Sequence, residues 1–358
     1  MKTIAMNQLR VNEYCGVVHI HTTFSDGGVT YPELVNAAKN TGLDYVVVND
    51  HMTLQGKHAG CEGFAGNVMV VVGYEHHDYQ GLNHYLVLGT DAVLQEQAQP
   101  QEYVDGVRER GGIGFIAHPM ERRHYFKKYP PFPWTEWDVT GYDGIEIWNQ
   151  MSEWVENLRR WTSYVRVLYP RRFLSSIRPE LCAKWDELNR ERFVAGLGGV
   201  DAHTFKFKAG PFRIRIFPIK VELKGVRTHL YLTTPLPRDN WPAAERQFLD
   251  ALRDGRGYVS NYRRGDASGT SIFLETQDGS AVLPGRAGSV VLPPARIHVR
   301  VPQPAEIRLV CNGELLDCAK GERTEFAVDS PGVYRVEVFR RARAWVYSNP
   351  FPVGRYPL

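Results

Sequence analysis

Residues 17–51 read VVHIHTTFSDGGVTYPELVNAAKNTGLDYVVVNDH, and the fold turns on this stretch. Val17 to His21 is β-branched enough to form a strand. Thr30 and Glu33 have capping-box spacing, and Pro32 falls in the first helical turn, where its missing N–H is tolerated. Leu34, Ala37 and Ala38 then supply an apolar face, Gly42 a stop, and Tyr45 to Val48 the next strand. Strand, helix and strand in this order form a βαβ unit, the building block of a parallel sheet.

Working outward, Val68 to Val72, Gly114 to Ala117, Ile145 to Trp148 and Phe193 to Val200 are close to uniformly apolar, as strands buried on both faces should be. Ala243 to Arg253, stopped by Gly255, reads as a last helix, with YVSNY (258–262) as a closing strand. Residues 152–192, rich in Trp, Arg and Leu (WVENLRRW at 154–161), read as a helical insertion or a long crossover. Residues 1–264 therefore read as an α/β domain built on a parallel sheet. Beyond it, Ile272 to Glu275, Arg296 to Val301, Glu306 to Cys311 and Val333 to Phe339 alternate apolar and polar residues. With Asn312-Gly313 as a hairpin turn, residues 265–358 read as a small all-β, sandwich-like domain.

The chain has 358 residues, 43% of them hydrophobic, enough for about two domains with buried cores. Its formal charge of +3 gives no whole-chain field for nucleic acid or an anionic membrane, so any attraction for anions must be local. Five cysteines with no C-x-x-C fit neither a disulfide framework nor a zinc ribbon. The opening MKTIAMNQLRVNEY lacks a signal-like apolar run, and no window approaches the ~20 apolar residues of a membrane span. The expectation is a cytoplasmic chain with reduced thiols.

Chemistry-bearing residues gather at the strand ends. Asp50, His51, Glu75, His118, Asp201 and His203 follow their strands, and His19 and His21 lie within the first. In α/β barrels this end of the sheet carries the active site, although loops are polar in any case. Two residues apart on an extended strand, His19 and His21 can present both imidazoles to one ion, and Asp26 sits in a Ser-Asp-Gly-Gly turn able to fold back toward them. Nitrogen and oxygen donors without thiolates suit Zn, Mn or Fe. They outnumber what one ion can use, so two or three divalent ions are expected, with Glu75 or Asp201 bridging and a bridging hydroxide as nucleophile. Arg122, Arg123, Lys206 and Lys208 are candidate cations for substrate oxygens, or a solvated basic rim. HYFKKYPPFPWTEW, residues 124–137, is either a lid over an apolar leaving group or a Pro-rich surface loop.

The quoted stretch together with VVGYE (71–75), GFIAHP (114–119) and GVDAH (199–203) resembles the successive motifs of the PHP (polymerase and histidinol phosphatase) superfamily, over about residues 14–260. The resemblance implies a distorted (β/α)7 TIM-like barrel with a di- or trinuclear metal site. GGIGFIAHP, DGIEIWN, GRGYVSNY and SNPFPV further resemble the carbamate-ester-hydrolase-like branch. Carried over by position, one ion takes His19, His21, Glu75 and Asp201, a second Glu75 and His118, and a third Asp26, His51 and His203. Asp50 would stand behind the ligands, and His84 near the second ion. Asn49 stands where the motif usually has Thr. His76 and His77 have no clear role, and Glu146 and Asn149 read as a polar cap on the barrel.

The resulting expectation is a metal-dependent phosphoesterase acting on a small anionic ester, with Asp50, His203 and Arg122 as catalytic residues. Carboxylic or carbamate ester hydrolysis is the alternative, and a non-catalytic metal- or ligand-binding module the alternative of another class. Neither nucleic acid nor membrane is an expected partner, and the oligomeric state stays open.

Overall fold

The computed structural model describes residues 1–95, 99–124, 130–158, 174–209 and 212–355, with only the backbone described for 206–209 and 212–214. Two compact units emerge, one of residues 16–174 and 198–227, the other of residues 1–15, 175–197 and 228–358.

The first unit carries a closed ring of seven strands in a mixed α/β fold. Leu9–Ile20 pairs in parallel with Tyr45–His51 and with Ala195–Ala202, and Tyr45–His51 pairs in parallel with Val68–His76. The helix Tyr31–Asn40 makes the first crossover. Thr30 accepts the N–H of Glu33 while Glu33 reaches back to Thr30, a reciprocal cap worth about 1 kcal/mol. Tyr31, Leu34, Ala37 and Ala38 form its buried face, and Gly42, at φ +69°, follows its end.

The ring departs from a regular (β/α) repeat at Tyr85–Leu88, which runs antiparallel to both Val68–His76 and Ile113–Ile116. Only residues 77–84 join it to Val68–His76, too few for a crossover helix, so the chain can only turn back. Parallel pairing resumes between Ile113–Ile116 and Gly144–Asn149. Of the helical stretch expected at 152–192, Gln150–Glu156 and Pro179–Glu191 are helices, and 159–173 lie outside the described residues.

In the second unit Ser271–Glu275, Glu314–Val328 and Gly332–Arg340 all pair antiparallel with Ala295–Cys311. The latter replaces two expected strands. Its ladder to Glu314–Val328 breaks between Arg300 and Ala305, where Pro302 and Pro304 have no N–H to donate. Asn312 and Gly313, at φ +51° and +91°, turn the hairpin as both central residues of a type I′ turn must. Ile272, Leu274, Ile297, Leu309, Val336, Val338 and Trp345 are core residues here. Gly257–Asn261, expected as the closing strand of the first domain, pairs with Arg343–Ser348 and lies in the same compact unit as the C-terminal strands. No helix among the described residues is long and apolar enough to cross a membrane, and the five cysteines are free.

A polar knot is sealed inside this unit. His229 Nδ1 lies 2.9 Å from Glu13 Oε1, and its Nε2 lies 2.9 Å from Ser260 Oγ and 3.6 Å from Cys15 Sγ. The Tyr258 ring stacks on the imidazole at 4.3 Å, and its hydroxyl donates to Glu13. Burial opposes a charge on His229, but Cys15 and Glu13 outweigh it and lift the imidazole to about 10. Because the folded value lies above the ordinary 6.5, this stabilisation is complete below pH 6.5 and lost as pH rises through about 10. Thermal unfolding should show a falling Tm across that window, with a shallower fall in His229→Gln. Equal slopes in both proteins would refute a charged His229.

Candidate metal centre

The open end of the ring brings together donors from six separate segments. Glu75, at the end of Val68–His76, is the hub. Its Oε2 lies 3.2 Å from His19 Nε2, 3.3 Å from His21 Nε2 and 3.3 Å from His51 Nδ1, and its Oε1 lies 2.7 Å from His84 Nδ1 and 3.1 Å from His118 Nε2. Asp201 forms a second focus, with Oδ1 3.6 Å from His19 Nε2, 3.4 Å from His21 Nε2 and 3.3 Å from His203 Nδ1. Asp26, 56% exposed, closes the outer side at 3.3 Å from His203 Nε2, 3.7 Å from His21 Nδ1 and 3.8 Å from His51 Nε2.

These contacts resolve into four overlapping sets able to hold a cation: His21, Asp26, His51 and His203; His19, His118 and Asp201; His19, His21 and Glu75; His51, Glu75 and His84. Within each set the donor atoms lie within 4.8 Å of one another. All nine residues singled out as metal ligands from the sequence are present in them.

Convergence is achieved by irregular backbone. His19 and His21 do not share a face through simple alternation, because His19 has φ +66° and the pairing of its strand slips between Val17 or Val18 and Ile20 on both sides. This bulge turns the His19 ring to 5.1 Å from that of His21. His118 and Asp201 also take left-handed backbone, at φ +27° and +52°. Each such residue costs about 1–3 kcal/mol and persists only where the surroundings overdetermine it.

Charge explains the demand for a cation. Burial opposes ionisation of Glu75, yet His19, then His84 and His51, hold it well below the usual carboxylate range, and Asp201 is depressed in the same way by His19, His21 and His203. Reciprocally, burial disfavours a charge on His21 and His118, but Asp201 with Glu75, and Glu75 with Glu121, raise them to about 9. His51 goes the other way, to about 4, because burial and the neighbouring His21 and His84 outweigh Glu75. His21 is fully buried, and neither ring nitrogen has a hydrogen-bond partner. A buried imidazole unsatisfied at both ends, flanked by two carboxylates, fits a metal ligand.

The remaining expected residues fall into distinct places. Asp50 accepts from Thr22 N–H at 2.7 Å, from the Thr22 hydroxyl at 2.6 Å and from the Ser25 hydroxyl at 2.5 Å, so it anchors the loop that carries Asp26. Arg122 is exposed after the His118 motif, whereas Arg123 pairs with Glu121 at 3.0 Å and lies over the Phe132 ring. The side chains of Lys206 and Lys208, and residues 125–129 of the expected lid, lie outside the described residues. Phe132 stacks on His84 at 5.0 Å and Phe205 on His203 at 5.5 Å. Asn49 is buried with its amide unpaired, His76 is buried with both ring nitrogens unpaired, and His77 bonds the Asp78 carbonyl.

No protein-family model matches the chain. It is 27% identical over 121 residues to an uncharacterised protein of Methanocaldococcus jannaschii, a match covering 28% of this chain and 66% of that one, just under two thirds of its length. Among solved structures it is similar to a two-domain protein of Bacteroides vulgatus described as containing a predicted PHP-like metal-dependent phosphoesterase (12% identity, 95% of this chain and 96% of that chain, TM-score 0.47). It is also similar to PsfC of Pseudomonas syringae (14% identity, 68% and 90%, TM-score 0.42) and to an amidohydrolase of Chromobacterium violaceum (14% identity, 57% and 92%, TM-score 0.33).

Glu146 and Asn149 are not a barrel cap. Glu146 Oε1 lies 3.1 Å from His19 Nδ1, and Oε2 accepts the His118 N–H and the Asn149 amide, each at 2.8 Å. Asn149 Nδ2 also reaches Asp201 Oδ2 at 3.4 Å while its Oδ1 caps the helix Gln150–Glu156. A single apolar-looking strand, GIEIWN, thus holds three donor positions from behind. Glu146→Ala should leave the His118 N–H unpaired and the Asn149 amide without its shorter acceptor in a dry environment, lowering the unfolding free energy by about 2 kcal/mol or more. Zinc affinity, followed by competition with a chromogenic chelator, should fall about 10–100-fold. An unchanged denaturation midpoint and unchanged zinc affinity would contradict the positioning role.

Proposed function

We propose that the chain is a metal-dependent hydrolase of the PHP type, acting on phosphoesters of small anionic substrates. The observation that carries this reading is His21, buried between Glu75 and Asp201 with neither ring nitrogen hydrogen-bonded. Two or three divalent ions, of Zn, Mn or Fe, fit the donors around it. His21, Asp26, His51 and His203 would hold one of them, and Glu75, Asp201, His19, His84 and His118 the others. Bound there, such ions supply Lewis acidity toward the ester and acidify water at neutral pH.

The protein's own groups do the rest. Glu146 faces His19 Nδ1, which leaves Nε2 for the pocket. Asp50 fixes the 22–25 loop and with it Asp26, a positioning task in place of direct chemistry. His203 is kept for the ion that it would help to hold, and Arg122, exposed beyond the His118 motif, is assigned contact with substrate oxygens. Free cysteines fit a reducing, cytoplasmic setting. A second reading, carboxylic or carbamate ester hydrolysis, draws support from the Phe132 and Phe205 rings stacked on His84 and His203, an apolar rim suited to an uncharged leaving group.

Elemental analysis of the purified chain should find at least two equivalents of transition metal. With p-nitrophenyl phosphate, p-nitrophenyl acetate and a p-nitrophenyl carbamate compared side by side, the phosphate should be the best substrate. His19→Ala and Asp201→Ala should each lose at least ~100-fold in kcat/KM. Preference for the acetate or carbamate would transfer the assignment to the second reading. A folded, metal-free chain hydrolysing none of the three would mark a binding module, and full turnover in both variants would end the mechanism.

A further inference from the structure

Five arginines from two segments meet in the unit that contains residues 228–358, apart from the donor cluster. Arg263 and Arg264 lie in the 3-10 turn Tyr262–Arg264, directly after the strand Gly257–Asn261. Arg340 and Arg343 face each other across the hairpin joining Gly332–Arg340 to Arg343–Ser348, with Arg341 in its turn at φ +51°. Pairing of Tyr258 with Ser348 and of Ser260 with Val346 runs the two segments side by side, so the arginine-bearing ends come together.

One of these guanidinium groups is fixed in place. Arg340 Nη1 donates to the Arg264 carbonyl, and its Cζ lies 4.8 Å from the centre of the Trp345 ring. Trp345 Nε1 in turn donates to the Gly265 carbonyl at 2.9 Å, and a Cβ at Gly265 would stand 2.5 Å from Arg340 Nη1. Arg340 and Arg341, with Ala305, Lys320, Gly321 and Phe339, line an open groove of about 380 Å³. Glu306 is also at the groove, but Arg308 Nη2 engages its carboxylate at 2.5 Å.

Among the described residues Arg263, Arg264, Arg340 and Arg341 form no ion pair, and the buried Arg264 Nε has no acceptor. Burial and then Arg343, Arg263, Arg341 and Arg340 push the Arg264 guanidinium down from its ordinary value. Like charges held side by side repel, a cost that an anion bound among them would reverse.

We propose that this arginine cluster and its groove bind a small anion carrying two or more adjacent phosphoryl groups. Each guanidinium can bridge two oxygens of one phosphoryl group, which a lysine cannot do, and several guanidinium groups side by side match a ligand whose charges are also side by side. The groove is of a size to hold one such molecule. The near-neutral chain as a whole supplies no comparable field, so recognition is local to this corner.

The test is calorimetric titration of the full chain with inorganic tripolyphosphate. Arg263→Ala/Arg341→Ala changes two exposed residues and should raise Kd about tenfold or more. Arg263→Lys/Arg341→Lys should recover only part of that loss, since charge returns without the paired donors. His19→Ala/Asp201→Ala should bind as the native chain does, which separates this site from the donor cluster. Binding should weaken as NaCl is raised. A second arm uses phosphatidylcholine vesicles with and without phosphatidylinositol bisphosphate: binding to these vesicles alone, lost in the alanine pair, would identify the source of the phosphoryl groups as a lipid headgroup. An unchanged Kd in the alanine pair, loss of binding in His19→Ala/Asp201→Ala, or no binding to either probe would overturn the proposal.

Discussion

Glu75 and Asp201 are carboxylates sealed in the end of a barrel, and a buried anion persists only opposite positive charge. Everything at this end of the molecule answers that requirement. Imidazoles crowd both carboxylates; three of them, His19, His21 and His118, are driven toward the charged form, and His51, facing other imidazoles, is driven away from it. Protons and divalent cations compete for such a place, and the donor set suits the cations: nitrogen and oxygen atoms aimed inward from six segments, one imidazole flanked by two carboxylates with neither ring nitrogen in hydrogen-bond geometry. Rigid geometry follows from the same requirement, since left-handed backbone at His19, His118 and Asp201 is the means by which distant residues reach a common point.

Much of this was legible in the sequence because it rests on local rules. The Thr30–Glu33 cap, the Asn312-Gly313 turn and the apolar runs of the ring strands need no knowledge of distant partners. The nine donors could be named because each follows or lies within a strand of recognisable pattern. What alternation cannot register is a bulge: His19 and His21 meet through a slipped ladder, so simple strand alternation names two converging residues by a geometry the chain does not have. Nor could the direction of Tyr85–Leu88 be read from composition, since it depends on the short reach of residues 77–84.

Glu146 illustrates a different blindness. A lone acid in GIEIWN carries no spacing signal, and its importance exists only once His19, His118 and Asn149 have arrived around it. The pairing of 257–261 with Arg343–Ser348 was illegible for a related reason, because strand propensity says that a segment will pair but not with what. The arginine cluster is the counterpart among charged residues: the pairs at 263–264 and 340–341 are unremarkable apart, and their meaning comes from strand register.

Gly199 gives the ring one more property. A Cβ at this position would lie 1.8 Å from Glu146 Oε1 and 3.0 Å from the His19 Cβ, so the carboxylate occupies the volume that any side chain would need. Mutational drift along Ala195–Ala202 is therefore closed at one residue whose own backbone is unexceptional. Libraries that randomise this strand will return glycine at 199 wherever glutamate is kept at 146, and the two positions will be free to vary only as a pair.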